Sequence, residues 1–367
     1  MSSSITFSNN QESKFFTEGT KFFTKGTKLL TKRGYINIED LNEVDLMVTD
    51  TFDYQSIDNY IRKLYTGNIY EITIKHHPNI INTTEDNMFY VREKHEILKD
   101  MKMSEVLSRP IWKKVKDLTY NDYFGMIINT QNNIPNFLIN NINVKLDKLG
   151  YWFIMGYFLG NGWIKKSRGQ ETIRFNINIS NEIEVIYKIN SIIPIISKNV
   201  GNKSKTYISK NTLWLEIFKM FLNEKHEKHI PEWVQSTSND YIKEFLNGFS
   251  KTDNCSIKNS LMEITTISIN LAYGIQRLYL KLGLILNINV FINQKPSNKD
   301  LKVLIQKNIY IIKVDNIIRF YNAFIEDNYV WFAPLIIAKK VVSNIPIYNI
   351  EINNKYNFFV ENTLVHN

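Results

Sequence analysis

Cysteine is all but missing from this sequence. Cys255 stands alone among 367 residues, so an internal disulfide is impossible and a zinc site built on several thiolates is excluded. Long apolar runs are missing too. No stretch reaches the roughly 20 residues that span a bilayer, and the opening MSSSITFSNNQESKFF lacks the apolar core of a secretory signal. The expected setting is intracellular, with no membrane partner. Acidic charge is in the minority, 36 Asp and Glu against 45 Lys and Arg, for a formal net charge of +9. A polyanion partner, DNA or RNA first, suits that balance, although many basic proteins bind no nucleic acid. Core material is plentiful: 44% of residues are hydrophobic and 13% aromatic, at a length that suggests about two or three domains.

The first 21 residues are polar and carry a small echo, since FFTEGTKFFTKGTKLLT repeats the unit Phe-Phe-Thr-x-Gly-Thr-Lys. Two copies are too few for a repeat fold. From Gly26 to about Asn129, short alternating runs such as YINI, IYEITI and MFYVRE predict β-strands. Two helices are then predicted. DKLGYWFIMGYFLGNGWI (Asp147–Ile164) is apolar almost all round and reads as buried. SNDYIKEFLNGFSKTDNC (Ser238–Cys255) opens with a cap at Ser238 or Asp240. Mixed strand and helix text follows each, including the helix Ile269–Gly283, ended by glycine. The segment IPIYNIEINNKYNFFV returns to β alternation. A β domain with an insertion between its two parts explains that order.

Laid over each other, WFIMGYFLGNG and EFLNGFSKTDN match Gly156 with Gly248, Gly160 with Thr252 and Asn161 with Asp253, at a spacing of 253 − 161 = 92 positions. Small residues four apart share one helix face and let two backbones come close. The residue after each small pair emerges at the end of its helix, where paired acids hold Mg²⁺ against phosphates and activate water. The plainer reading is a pair of core helices packed through glycine. The duplication favours the first reading, and the arrangement resembles the LAGLIDADG (DOD-type) homing endonucleases. That family's motif ends in an acid followed by glycine. Asp253 keeps the acid, with Asn254 in the glycine place; Gly162 keeps the glycine, with Asn161 in the acid place. An amide is a poorer Mg²⁺ ligand than a carboxylate, so at most one strand's cleavage site is fully furnished.

The flanks resemble an intein, a Hint-type protein-splicing domain, of the kind carried by large DNA viruses. FFTKGTKLLTKRGYINIEDL (Phe22–Leu41) resembles the first intein block and NTTEDNMFYVREK (Asn82–Lys94) the second. WKKVKDLTYNDYFGMIIN (Trp112–Asn129) resembles the exit from the first half of the splicing domain. PIYNIEINNKYNFFVENTLVHN (Pro346–Asn367) resembles the last two blocks, which end in His-Asn at the downstream junction. The resemblance implies a mixed fold class: an all-β, horseshoe-like splicing domain built from both chain ends, with an inserted α+β endonuclease domain of two αββαββα-like halves. The implied boundaries are 1–21 for an extein-like stub, 22–140 and 336–367 for the splicing domain, and 141–335 for the endonuclease, with halves at about 141–235 and 236–335.

Several positions depart from the pattern. Phe22 stands in the nucleophile's place and cannot perform an acyl shift. Asn87 stands where the second block has histidine, while its companion Thr84 is present. Tyr356 occupies the place of a further histidine, and Asn349 that of a frequent acid. His366 and Asn367 are retained. The pattern is that of a degenerate intein that has lost N-terminal cleavage but retains the residues for cyclisation of Asn367, which does not require the missing nucleophile. By the same resemblance, the strand-like stretches Gly162–Ile177 and Val290–Gln306 would lie in the DNA major groove. Lys165, Lys166, Arg168, Arg174, Lys295, Lys299 and Lys302 would then approach phosphates or bases. The alternative is that these are ordinary exposed strand residues. His226 and His229 have metal-like spacing without a third ligand, so a charged, solvated helix end is the expectation there. His76 and His77 have no evident partner in the sequence. The expected function is sequence-specific, Mg²⁺-dependent cleavage of double-stranded DNA by a pseudo-two-fold monomer, impaired to nicking or absent. The alternatives are a DNA-binding relict that cuts nothing and a folded relict without a DNA target.

Overall fold

The computed structural model describes residues 21–94, 107–178, 182–199, 204–223, 226–258, 261–292, 299–305, 323–353 and 357–366. Contacts divide the chain into two compact units, one from Met1–Asn129, Gly283–Asn289 and Ile309–Asn367, the other from Thr130–Leu282 and Val290–Asn308. Asn367, Tyr356 and Lys295 lie outside the described residues.

The described residues of the first unit are mostly β, with two short 3₁₀ turns at Ile38–Asp40 and Val115–Asp117, because the sequence alternates branched apolar and polar residues in short runs. Its described strands form one hydrogen-bonded sheet of 14 members. Both ends of the chain enter it: Phe23 pairs with Tyr348 and with Thr83, and Val365 with Phe89. The spine is an antiparallel pair of long strands, Tyr54–Ile74 and Pro334–Ile352, registered from Ile74 opposite Pro334 to Ile57 opposite Ile352. Core residues sit towards its ends, at Ile57, Ile69, Ile72, Ile347 and Ile350, while Leu64 and Val341 near the middle are 64% and 77% exposed. A register shift between Val342 and Ile345, with Asn344 at φ +55, marks a bulge there.

The second unit carries six described helices: α1 (Leu149–Asn161), α2 (Glu182–Asn190), α3 (Thr212–Lys219), α4 (Glu232–Gln235), α5 (Asn239–Ser250) and α6 (Ile269–Lys281). Two four-stranded sheets accompany them. One runs Gly162–Ser167, Gln170–Asn178, Ser204–Ser209, Ile196–Asn199; the other Cys255–Lys258, Leu261–Thr266, Lys299–Ile305, Asn287–Ile292. In each, the spatial order is first, second, fourth, third along the sequence. The unit is therefore αββαββ twice over. A closing helix is described only in the first half, as α3.

The helix ends differ from expectation for local reasons. Helix α1 stops at Asn161, because Gly162 turns extended (φ −99, ψ 157) and starts the next strand. Helix α5 stops at Ser250, well before Cys255. Ser238 occupies its N-cap place without a side-chain cap bond, and Asp240 supplies first-turn charge instead. Ser268 does cap α6, accepting from the Leu271 N–H at 3.2 Å. The stretch around His226 and His229 is not a solvated helix end. It is a turn closed by a Leu222–Lys228 bridge, with His226 at φ +58 and His229 only 4% exposed.

Candidate functional site

Helices α1 and α5 cross at glycine. A Cβ placed on Gly156 would land on the carbonyl oxygen of Phe245, and one on Gly248 would land on that of Phe153. The two contacts are reciprocal: each glycine lies three residues after the carbonyl that its partner glycine faces. A Cβ on Gly160 would collide with the Thr252 side chain. Trp152 stacks on Tyr241 across the pair, with centroids 5.1 Å apart. Only residues without a Cβ allow backbones this close.

The close crossing brings the two helix ends together. Asn161 Nδ2 donates to Asp253 Oδ2 at 3.3 Å, and the Asp253 N–H donates to Asn161 Oδ1 at 3.3 Å. Asn161 Nδ2 also donates to the Asn176 carbonyl at 3.1 Å, which accepts from the Tyr157 hydroxyl at 2.9 Å as well. Burial, first of all, holds the Tyr157 phenol well above its ordinary pKa. Asn254 Nδ2 donates to the Gly160 carbonyl at 3.4 Å. Lys228, to which no motif pointed, donates from Nζ to the carbonyls of Phe158 and Gly160, both at 3.2 Å, at the C-terminal end of α1. Burial lowers its pKa to about 8.

Asp253 is exposed, and Mg²⁺ is commonly held by one or two carboxylates completed by water and phosphate. Asp253 fits one such cation. The residues do not fit a symmetric pair, because Asn161 turns its amide nitrogen towards Asp253 and spends its oxygen on a backbone N–H. Among the described residues, no three His, Cys, Asp or Glu side chains group to hold a metal by themselves.

The basic candidates divide by face. Trp163 pairs with Arg174 and Lys165 with Thr172, so these four share one face of the first sheet. Ile173, Phe175 and Ile177 point the other way and are fully buried. Lys165 is exposed and Arg174 half-buried. Lys166 pairs with Glu171 and sits on the core-facing side, at the hairpin end. Arg168 occupies the hairpin turn itself at φ +50, followed by Gly169 at +78, the pair of left-handed residues that a type I′ turn needs. For Lys299 and Lys302 only the backbone is placed, with Lys302 opposite Thr265.

In the first unit, Phe22, Thr84 and Asn87 lie together. The Phe22 N–H donates to Thr84 Oγ1 at 2.9 Å. The Phe22 carbonyl accepts from the Thr84 N–H at 2.9 Å, the Thr83 hydroxyl at 2.9 Å and Asn87 Nδ2 at 2.8 Å. Phe22 is 5% exposed, and Lys63 Nζ sits 4.2 Å from its ring centroid. His366, opposite Met88 and Asn357 in the sheet, has Nδ1 2.8 Å from Asn357 Oδ1 and its ring 5.2 Å from that of Trp112. Burial first and the Lys21 charge second lower its pKa. Asn349 pairs with Ile61, and its Oδ1 is buried without a hydrogen-bond partner among the described residues. Sequence reasoning missed Asp50, whose Oδ2 accepts from Asn357 Nδ2 at 2.7 Å. It also missed Asn357; contacts 307 positions apart leave no mark in local pattern.

No protein-family model matches the sequence. It is 24% identical over 366 residues to a DNA polymerase of Thermococcus hydrothermalis, an alignment covering 89% of this chain and 22% of the polymerase. The chain thus spans about a fifth of that relative's length. Among solved structures it is similar to I-DmoI in complex with DNA and Mn, at 13% identity, covering 42% of this chain and 88% of that one, with a TM-score of 0.32. It is also similar to the homing endonuclease I-WcaI bound to its DNA recognition sequence, at 17% identity, covering 44% and 76%, with a TM-score of 0.31.

Proposed function

We propose that the chain is a degenerate intein: a splicing domain built from both chain parts, carrying a homing endonuclease that binds double-stranded DNA as a monomer and cuts one strand. The observation that carries this reading is the reciprocal glycine crossing of α1 and α5, which sets Asn161 beside Asp253. A divalent cation bound there supplies Lewis acidity and a more acidic water. Asp253 would hold it. Lys228, which donates to the Gly160 carbonyl that Asn254 also reaches, would add positive charge close to the helix ends. Lys165 and Arg174, on one face of the first sheet, would lie along the phosphates.

In the splicing unit, Phe22 offers no nucleophile, and Asn87 and Thr84 grip its peptide group rather than activate it. Release at Asn367, assisted by His366, is the chemistry proposed to survive. The second reading, DNA binding without cutting, is favoured by the Asn161 amide that already occupies Asp253 Oδ2.

A plasmid assay with Mg²⁺ tests the proposal, scoring nicked and linear product separately against Asp253→Ala. The polymerase similarity makes an intein-free DNA polymerase junction the first substrate to offer. Nicking that vanishes in Asp253→Ala supports the reading, and linear product from the parent overturns the one-strand assignment. A salt-sensitive gel shift without cutting supports the binding alternative.

A further inference from the structure

We propose that Asp50 and Asn357 are positioning residues that fix the ring tautomer of His366 for chain release at Asn367. The inference rests on the release reading given above. An ionised carboxylate only accepts. Asp50 Oδ2 lies 2.7 Å from the Asn357 side chain, so Asn357 must turn Nδ2 towards it. That leaves Asn357 Oδ1 facing His366 Nδ1 at 2.8 Å. An amide oxygen also only accepts, so Nδ1 must carry the hydrogen. In the neutral ring, the lone pair then sits on Nε2. Three side chains form one directed relay in which a carboxylate sets an amide and the amide sets an imidazole.

The surroundings fit a fixed apparatus. Asp50 Oδ2 accepts from Asn357 Nδ2, and Oδ1 of the same carboxylate is buried. Trp112 covers the imidazole at a 44° tilt. Asn357 and His366 are opposite each other in register, so the backbone sets their separation. Among the described residues, Lys21 acts on the imidazole and Asp50 on the Tyr329 phenol.

In the release step, Asn367 Nδ2 attacks its own carbonyl carbon. The new C–N bond closes a succinimide and the peptide C–N bond to the next residue breaks. The proton lost from Nδ2 ends on the departing amine. An imidazole with its lone pair held on Nε2 can carry that proton from one nitrogen to the other.

The test uses the full chain with a short peptide appended after Asn367, following release by mass and the His366 tautomer by ¹⁵N NMR. The parent is expected to show Nδ1–H and to release the peptide. Asn357→Ala is expected to lose that tautomer preference and to release about tenfold more slowly or worse, with Asp50→Ala following it in both respects. The double variant Asp50→Asn/Asn357→Asp keeps a donor–acceptor pair between the two positions and still accepts from Nδ1–H, so it should recover most of the rate. Its carboxylate should move the acid limb of the pH profile upward, a change that simple loss of packing does not produce. An Nε2–H tautomer in the parent, or parental release by Asn357→Ala, overturns the relay while leaving the release reading intact. A parent that releases nothing overturns the release reading and the role assigned to the relay with it.

Discussion

At Gly248 the helix backbone of α5 leaves no room for a methyl group, because the Phe153 carbonyl of α1 fills it. Gly248→Ala therefore has to separate two helices, and overpacking of this kind costs about 1–3 kcal/mol. Gly169→Ala is the informative control. Its site has open space but φ +78, so it carries backbone strain alone, about 1 kcal/mol. Thermal melts should show a clearly larger fall for Gly248→Ala. Asn161→Asp replaces an amide donor with a second negative charge beside Asp253 and is expected to lower the melting temperature in EDTA. Mg²⁺ should then raise it by more than in the parent, and linear DNA should appear beside nicked. The glycines and the 92-residue spacing were legible in the sequence because a duplicated close crossing demands small residues at matched places. Lys228 was not. A lysine in the charged run EKHEKHI looks solvated until the turn that holds it brings it beneath the end of α1.

The elements depend on such turns. Lys228 satisfies two carbonyls at the C-terminal end of α1, where orphan acceptors and the helix dipole both favour a cation. Its folded pKa of about 8 lies below the ordinary 10.5. Between those values the unfolded chain binds more protons than the folded one, so its contribution to stability rises with pH across that window and is lowest below about 8. Urea midpoints at pH 7.5 and 10 should therefore rise more, or fall less, in the parent than in Lys228→Met. At this scale the strand-like stretch Gly162–Ile177 after α1 was legible, whereas its Arg168-Gly169 turn and the strand pair after α5 were not read. The helix ends were not legible either, since apolar text continues past Asn161 into a strand with no proline to mark the change. Lys166 was grouped with Lys165 by charge, yet period-two alternation puts it on the opposite face.

Taken whole, the chain has two compact units with a candidate site in each. Calorimetry should resolve two transitions, and Gly248→Ala should shift only one of them. Asp253→Ala should abolish nicking without altering peptide release, and Asn357→Ala should slow release without altering nicking. The order β, α/β twice, β was visible in the text because hydrophobic period changes between 2 and 3.6 at each step. The relay from Asp50 to His366 was invisible, since it joins residues that only the finished sheet makes neighbours.

That sheet also sets a timetable. Ile74 pairs with Pro334, 334 − 74 = 260 positions later. A ribosome adding about 5–20 residues per second takes roughly 13–50 s to cover that distance. Throughout, Tyr54–Ile74 exists without its main partner, a 21-residue strand with an open edge. Asp58, Arg62 and Lys63 interrupt its apolar run, and inserted charges of this kind are what discourage an unpaired edge from joining a neighbouring chain. The second unit is synthesised during that wait, and its contacts join residues closer in sequence. The nascent chain can therefore order the insertion first and close its longest strand pair last.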